Sequence, residues 1–157
     1  MMNQLRRTFL KGTGAAGTVA VAIAAGLLKP GQVLAAEWNK VAFDATTTDA
    51  AMKGAGVGGA VESKDILIKA PDIAENGAVV PVEVTSKIPG TTDIMIFVEK
   101  NQNPLTADFT LSNGAEGYVS TRIKMASTSH VKVAVKAGGK SYFATKEVKV
   151  TIGGCGG

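Results

Sequence analysis

From residue 105 onward the chain alternates apolar and polar side chains with a period of two, and a long run of that rhythm can be folded only as strands. Leu105, Ala107, Phe109 and Leu111 alternate with Thr106, Asp108 and Thr110; Val119, Thr121, Ile123 and Met125 with Ser120, Arg122 and Lys124; Val131, Val133 and Val135 with Lys132, Ala134 and Lys136. Successive side chains of a strand point to opposite faces, so each run offers one face to a core and one to water. Gly138-Gly139 then turns the chain into residues 141–152, where Val148, Val150 and Ile152 share a face. Upstream, Ile66-Leu67-Ile68 and Val79-Val80-Pro81-Val82-Glu83-Val84 read as strands either side of Ala74-Glu75-Asn76-Gly77, where Asn-Gly suits the positive φ angles of a hairpin turn. Pro81 has no backbone donor, which points to a sheet edge or a bulge. Ile94-Met95-Ile96-Phe97-Val98 is apolar on both faces, as a central strand is, and Asn101-Gln102-Asn103-Pro104 ends it.

About seven short strands with polar turns between them predict a mostly β protein, a single antiparallel β-sandwich domain of immunoglobulin-like type without the immunoglobulin cysteine pair. Ahead of the strands, Thr46-Thr47-Thr48-Asp49 can cap a short helix through Ala50-Ala51-Met52-Lys53, with Gly54 to end it. The stretch Gly54-Ala55-Gly56-Val57-Gly58-Gly59 superficially matches a dinucleotide-binding loop, but no strand precedes it and a strand-like run follows. It reads instead as a flexible, looped linker, so residues 37–60 form a helical, glycine-rich lead-in to a domain spanning 37–152.

Residues 1–36 read as an export signal. Arg6-Arg7-Thr8-Phe9-Leu10-Lys11 precedes an uncharged, Gly/Ala-rich run from Gly12 to Leu28, and Leu34-Ala35-Ala36 offers a small-residue cleavage site. The paired arginines and the mild hydrophobicity of the run resemble a twin-arginine leader, which places the mature protein in the periplasm with no membrane anchor. Four of the 17 basic residues lie in this leader, while all 13 acidic ones lie from Glu37 onward. The mature chain is therefore electrically balanced, and a nucleic-acid partner has no electrostatic warrant.

The single cysteine stands in Gly153-Gly154-Cys155-Gly156-Gly157, after the last strand pattern has stopped. Glycine gives a backbone maximal freedom, so Cys155 reads as a thiol on a flexible arm; three extended residues carry it about 10 Å beyond the domain. The common roles of a cysteine do not fit it. No second cysteine gives a dithiol pair or, with clustered histidines, a metal site, and a prenylation box needs three residues where two follow. The one histidine, His130, reads as a solvated surface imidazole, and the arm has no basic residue of its own. An ordinary thiol is only a few per cent ionised at neutral pH, so activation has to come from a partner protein. What survives is a thiol presented to other enzymes' sites as an acceptor or handle.

That pentapeptide resembles the carrier arm of the SoxY family, the sulfur-carrier subunits of the bacterial Sox thiosulfate-oxidising system. The resemblance extends through Val61-Glu62-Ser63-Lys64-Asp65-Ile66, Ala70-Pro71-Asp72-Ile73-Ala74-Glu75-Asn76-Gly77, Val98-Glu99-Lys100-Asn101, Asn103-Pro104-Leu105 and Ser120-Thr121-Arg122-Ile123-Lys124-Met125, and to the leader with Arg6 and Arg7. It implies a heterodimer with a SoxZ subunit, itself a small β-sandwich. It also implies that a haem enzyme, SoxAX, joins thiosulfate oxidatively to Cys155 as an S-thiosulfonate, that SoxB hydrolyses off sulfate, and that a sulfur dehydrogenase oxidises the remaining sulfane sulfur. The carrier would then be a protein-bound substrate and no enzyme, with no cofactor beyond the covalent sulfur adduct.

Two other readings of the sequence stay open. A terminal Gly-Gly serves thiocarboxylate sulfur carriers of ubiquitin-like fold, although their activation needs ATP, which an exported protein does not meet. A secreted β-sandwich interaction module with a disulfide-forming tail, linked as a Cys155 dimer, fits the strands and the leader but leaves the flanking glycines without a purpose.

Overall fold

The computed structural model of the chain describes residues 38–152. The leader with Arg6 and Arg7, and the arm residues Gly153, Gly154, Cys155, Gly156 and Gly157, lie outside the described residues. Residues 39–152 belong to one compact unit.

Two short helices open it, α1 (Lys40–Phe43) and α2 (Thr48–Gly54). Each has a side-chain cap on its first turn: Asn39 Oδ1 accepts from Ala42 N at 3.2 Å, and Thr47 Oγ1 accepts from Ala50 N at 3.3 Å. Asn39 also donates through Nδ2 to Gly54 O at 3.0 Å, which ties the start of α1 to the end of α2.

Nine strands follow: β1 (Val61–Glu62), β2 (Ile66–Lys69), β3 (Ile73–Ala74), β4 (Val80–Ser86), β5 (Thr91–Val98), β6 (Leu105–Thr110), β7 (Tyr118–Ile123), β8 (Ser129–Ala137) and β9 (Lys140–Val150). They form two sheets, one ordered β1-β9-β8-β5-β6 with β3 also alongside β9, the other β2-β4-β7. The fold is an immunoglobulin-like β-sandwich. Seven strands have four or more residues and correspond to the runs expected from the alternation; β1 and β3, two residues each, are additions.

The sandwich core lies between the sheets. The alternating positions supply it: Val80, Val82 and Val84 of β4 and Val119 and Ile123 of β7 face Ile94, Ile96 and Val98 of β5 and Val131, Val133 and Val135 of β8. Met125 is also fully buried there. A second core lies on the other side of the larger sheet, where Ala42, Ala51, Met52, Ala55 and Val57 cover Met95, Phe97, Leu105 and Ala134. β5 is buried on both faces because it serves both cores, as its unbroken apolar run predicts.

Two expectations need correction, and that for Pro81 holds locally. The glycine-rich stretch 54–59 is no linker: Ala55 and Val57 are buried, Val57 N donates to Met52 O at 2.8 Å, and a Cβ on Gly54 would lie 2.9 Å from Ala42 Cα. The glycines allow α2 to approach α1 and let Gly56 turn at φ +72°. Asn76-Gly77 is no hairpin turn, since neither residue has positive φ and β3 intervenes between β2 and β4. Asn76 Oδ1 instead accepts from Ala78 N at 2.8 Å, a side-chain-closed turn. Pro81 lies in β4, which has β2 and β7 on its two sides, but the β2 ladder ends at Lys69 opposite Glu83. Pro81 therefore has a strand neighbour on one side only, and its missing donor breaks no ladder there.

Candidate functional site at the end of the last strand

Cys155 lies three residues beyond Ile152, outside the described residues, so the described part of its site is the place where β9 releases the chain. β9 pairs with β8 as far as Val148 opposite Ser129. Past that point the β8 side is taken over by the Thr128 hydroxyl, which accepts from Val150 N at 2.9 Å.

The other side is held by residues 70–77. Ile73 and Ala74 of β3 run parallel to Lys149 and Val150. Lys149 N donates to Asp72 O at 3.0 Å, Thr151 N to Ala74 O at 3.1 Å, and Gly77 N to Ile152 O at 2.7 Å. The Thr151 hydroxyl adds a bond to Glu75 O at 2.9 Å. This strap is itself anchored at both ends: Lys146 Nζ donates to Ala70 O at 2.7 Å and pairs with Asp72 at 3.1 Å, while Gly77 O accepts from Met125 N at 2.7 Å. Ala74 sinks its side chain into the sandwich core, with Ala70 and Val150 packed against it; Ile73 and Ile152 remain exposed. The shared face expected of Val148, Val150 and Ile152 thus holds for the first two, because the sandwich ends before Ile152.

Other candidate chemistry lies elsewhere. His130 stands in β8 opposite Glu147, with Nδ1 3.4 Å from Glu99, and Lys132 reaches the same carboxylate at 3.3 Å. Lys132 also lies 5.5 Å from the centre of the Phe143 ring. These groups form a polar cluster on the outer sheet face, about 17 Å along β9 from Ile152. Asp108 is raised above the usual carboxylate range, first by partial desolvation and then by Asp93, with Lys136 opposing. Among the described residues no group of three or more His, Cys, Asp and Glu could hold a metal ion. An open cleft of about 360 Å³ lined by Gly56, Val61, Lys140 and Tyr142 lies by the first residues of β9, at the opposite end of the strand from Ile152.

The residues that hold the exit are ones sequence reasoning missed. Residues 70–77 carry part of the family resemblance, yet nothing local marks Asp72, Ala74 and Gly77 as backbone partners of a segment 75 or more residues later. Thr151 is a polar residue at the end of an apolar alternation, and that was the one available signal.

A family model described as sulfur oxidation protein SoxY matches residues 53–155. Among solved structures, the sulfur carrier protein SoxY from Chlorobium limicola f thiosulfatophilum is similar at a TM-score of 0.56 and 49% identity, covering 64% of this chain and 93% of that one. The superoxide reductase (neelaredoxin) from Ignicoccus hospitalis is similar at 0.48 and 18% identity, over 54% of this chain and 79% of that one. No relative is found among curated proteins.

Proposed function

The chain belongs to the SoxY family and has a sulfur-carrier role in sulfur oxidation, and we propose that Cys155 is the atom-bearing residue of that role, carried on the arm 153–157. The observation that carries this reading is the extent of the family match, which runs to residue 155, the one cysteine in the sequence. Two further observations support it. The chain is held up to Ile152, so a thiol three residues on projects from a defined place. The described histidine, His130, lies about 17 Å along β9 from that place.

The chemistry then belongs to partners. A SoxAX-type haem enzyme removes two electrons as the thiol sulfur bonds to the terminal sulfur of thiosulfate, with loss of the thiol proton; the product is the S-thiosulfonate. A SoxB-type hydrolase adds water across the bond between the two thiosulfate sulfurs, releasing sulfate and two protons and leaving a persulfide anion on Cys155. A sulfur dehydrogenase oxidises that sulfane sulfur. The carrier is a substrate throughout and no enzyme, and its only prosthetic group is the covalent sulfur. The S-thiosulfonate is anionic and the last basic residue in the sequence is Lys149, so partner sites supply the compensating charge. A SoxZ-type subunit forms the heterodimer, and the twin-arginine leader with Arg6 and Arg7 takes the chain to the periplasm in folded form.

The fold speaks against the thiocarboxylate alternative: two sheets face each other across one core, and the helices are short and lie outside the sandwich, unlike the ubiquitin-like arrangement that such carriers use. In a reconstituted thiosulfate-oxidising system Cys155→Ser abolishes turnover while unfolding and SoxZ binding stay as in the wild type. Retained turnover in that variant overturns the assignment.

A further inference from the structure

Resting on the carrier reading, we infer that the strap 70–77, together with Thr151, is a clamp that sets the pivot of the arm at Ile152. The bonding at this place exceeds what its burial would require. The chain overshoots its last β8 partner, Ser129, by the residues from Lys149 to Ile152, and a strand-end segment whose side chains are exposed at all but Val150 is one that ordinarily frays. Here every one of these residues is bonded: Lys149 to Asp72, Val150 to Thr128, Thr151 to Ala74 and Glu75, and Ile152 to Gly77. Covering the edge of β9 against other strands would account for the ladder up to Val150. It does not account for the Thr151 hydroxyl bond or for the Ile152 carbonyl bond, which lie past the strand's end.

The consequence is a short reach. From Ile152, the chain to Cys155 spans at most about 10 Å; from Val150, the last residue held on the β8 side through Thr128, it would span about 17–18 Å. Local concentration of a tethered group falls as roughly the −3/2 power of tether length, so a pivot at Val150 lowers the concentration of the thiol at a nearby target about twofold. The clamp confines the thiol to targets within about 10 Å of Ile152 and keeps it from reaching far back along β9. Thr151, Ala74 and Gly77 are thus positioning residues for delivery.

Disulfide trapping in the full mature chain tests this with the natural cysteine. Glu75→Cys places a second thiol beside the pivot. Thr145→Cys places it on β9 about 23 Å from Ile152, beyond the arm's span plus the about 6 Å between bridged Cα atoms. In a glutathione redox buffer, with monomers separated at low protein concentration, Glu75→Cys bridges to Cys155 and Thr145→Cys does not. Adding Thr151→Pro removes both Thr151 bonds to the strap. In that background Thr145→Cys bridges, and the effective concentration for Glu75→Cys falls about twofold. Thr151→Ser, which keeps the amide and the hydroxyl, behaves as the wild type. Circular dichroism and titration of Cys155 by a small disulfide reagent stay unchanged in all variants, which separates pivot from fold.

Bridging of Thr145→Cys with the strap intact overturns the clamp, as does its absence in the Thr151→Pro background or failure of Glu75→Cys to bridge. All of this is read without any sulfur substrate. The clamp can therefore fail while Cys155 still carries sulfur, and it can hold while sulfur adducts prove absent.

Discussion

Ile96 and Phe97 are neighbours on β5, both fully buried, and they belong to different cores. Ile96 points between the sheets into a layer of Val and Ile drawn from strands. Phe97 points to the far side, where α1, α2 and the loop after them cover it with Ala, Met and one Val. The sandwich core is built from residues that stand on a pleated surface and interlock across about 10 Å. The helical core is built from small residues that let backbones come close, so its contacts depend on what is missing as much as on what is present. One core is written as a rhythm, the other as gaps.

That difference predicts how each core breaks. Phe97→Ala has the largest expected effect, about 3–5 kcal/mol in urea unfolding, because an aromatic ring leaves a cavity that helices of four and seven residues cannot close. Ile96→Ala follows at about 2–5 kcal/mol, with the sandwich able to relax around a smaller void. Because β5 is common to both, each variant should unfold in one transition, by circular dichroism and by fluorescence alike; two separated transitions for Phe97→Ala would mean that the helical layer is a satellite and not part of the fold. Gly54→Ala comes next. A helix interior gains up to about 1 kcal/mol from this exchange, but the new Cβ meets the Ala42 backbone at 2.9 Å, and crowding of that kind costs about 1–3 kcal/mol. Net destabilisation is expected, and a stabilised variant would show that α1 does not press on α2.

Asp108→Asn sharpens the comparison at its weakest point, the exposed border of the helical side. The Asp108 carboxyl is raised in the folded chain, so the native state holds its proton more tightly than the unfolded one. This contribution to stability is present below the ordinary carboxylate value of 3.8 and is lost as pH rises through the raised folded value. Asn removes the dependence, so the variant should gain slightly on the wild type between acid and neutral pH, within about 0.5 kcal/mol as for other surface changes. An equal difference at all pH values would contradict the sign.

The sandwich was legible because its signal is local. Val131, Val133 and Val135 announce a strand from within seven residues, and Ile94 to Val98 announce burial on both faces. The cap at Thr47 was legible for the same reason, since a hydroxyl before an alanine-rich turn has a local mechanism. The glycines of 54–59 were not, because close backbone approach and freedom of a linker ask for the same residue. The strap was not legible either: parallel pairing of Ile73 with Lys149 joins segments far apart in sequence, and two-residue strands have no rhythm to detect. At the candidate site the balance is similar. Cys155 and its glycines could be picked out by composition alone, whereas the residues that hold the exit, Thr151 among them, gain meaning only once β3 is seen beside β9.

The central claim is that Cys155 carries sulfur covalently. Intact-protein mass spectrometry without reductant, on the mature chain purified from cells oxidising thiosulfate, tests it most directly. The account predicts sulfur-containing adducts localised to Cys155, released by reductant and absent from Cys155→Ser. Only the free thiol, or a plain Cys155-linked homodimer, in cells active on thiosulfate would contradict it and leave an interaction module that shares the carrier family's fold.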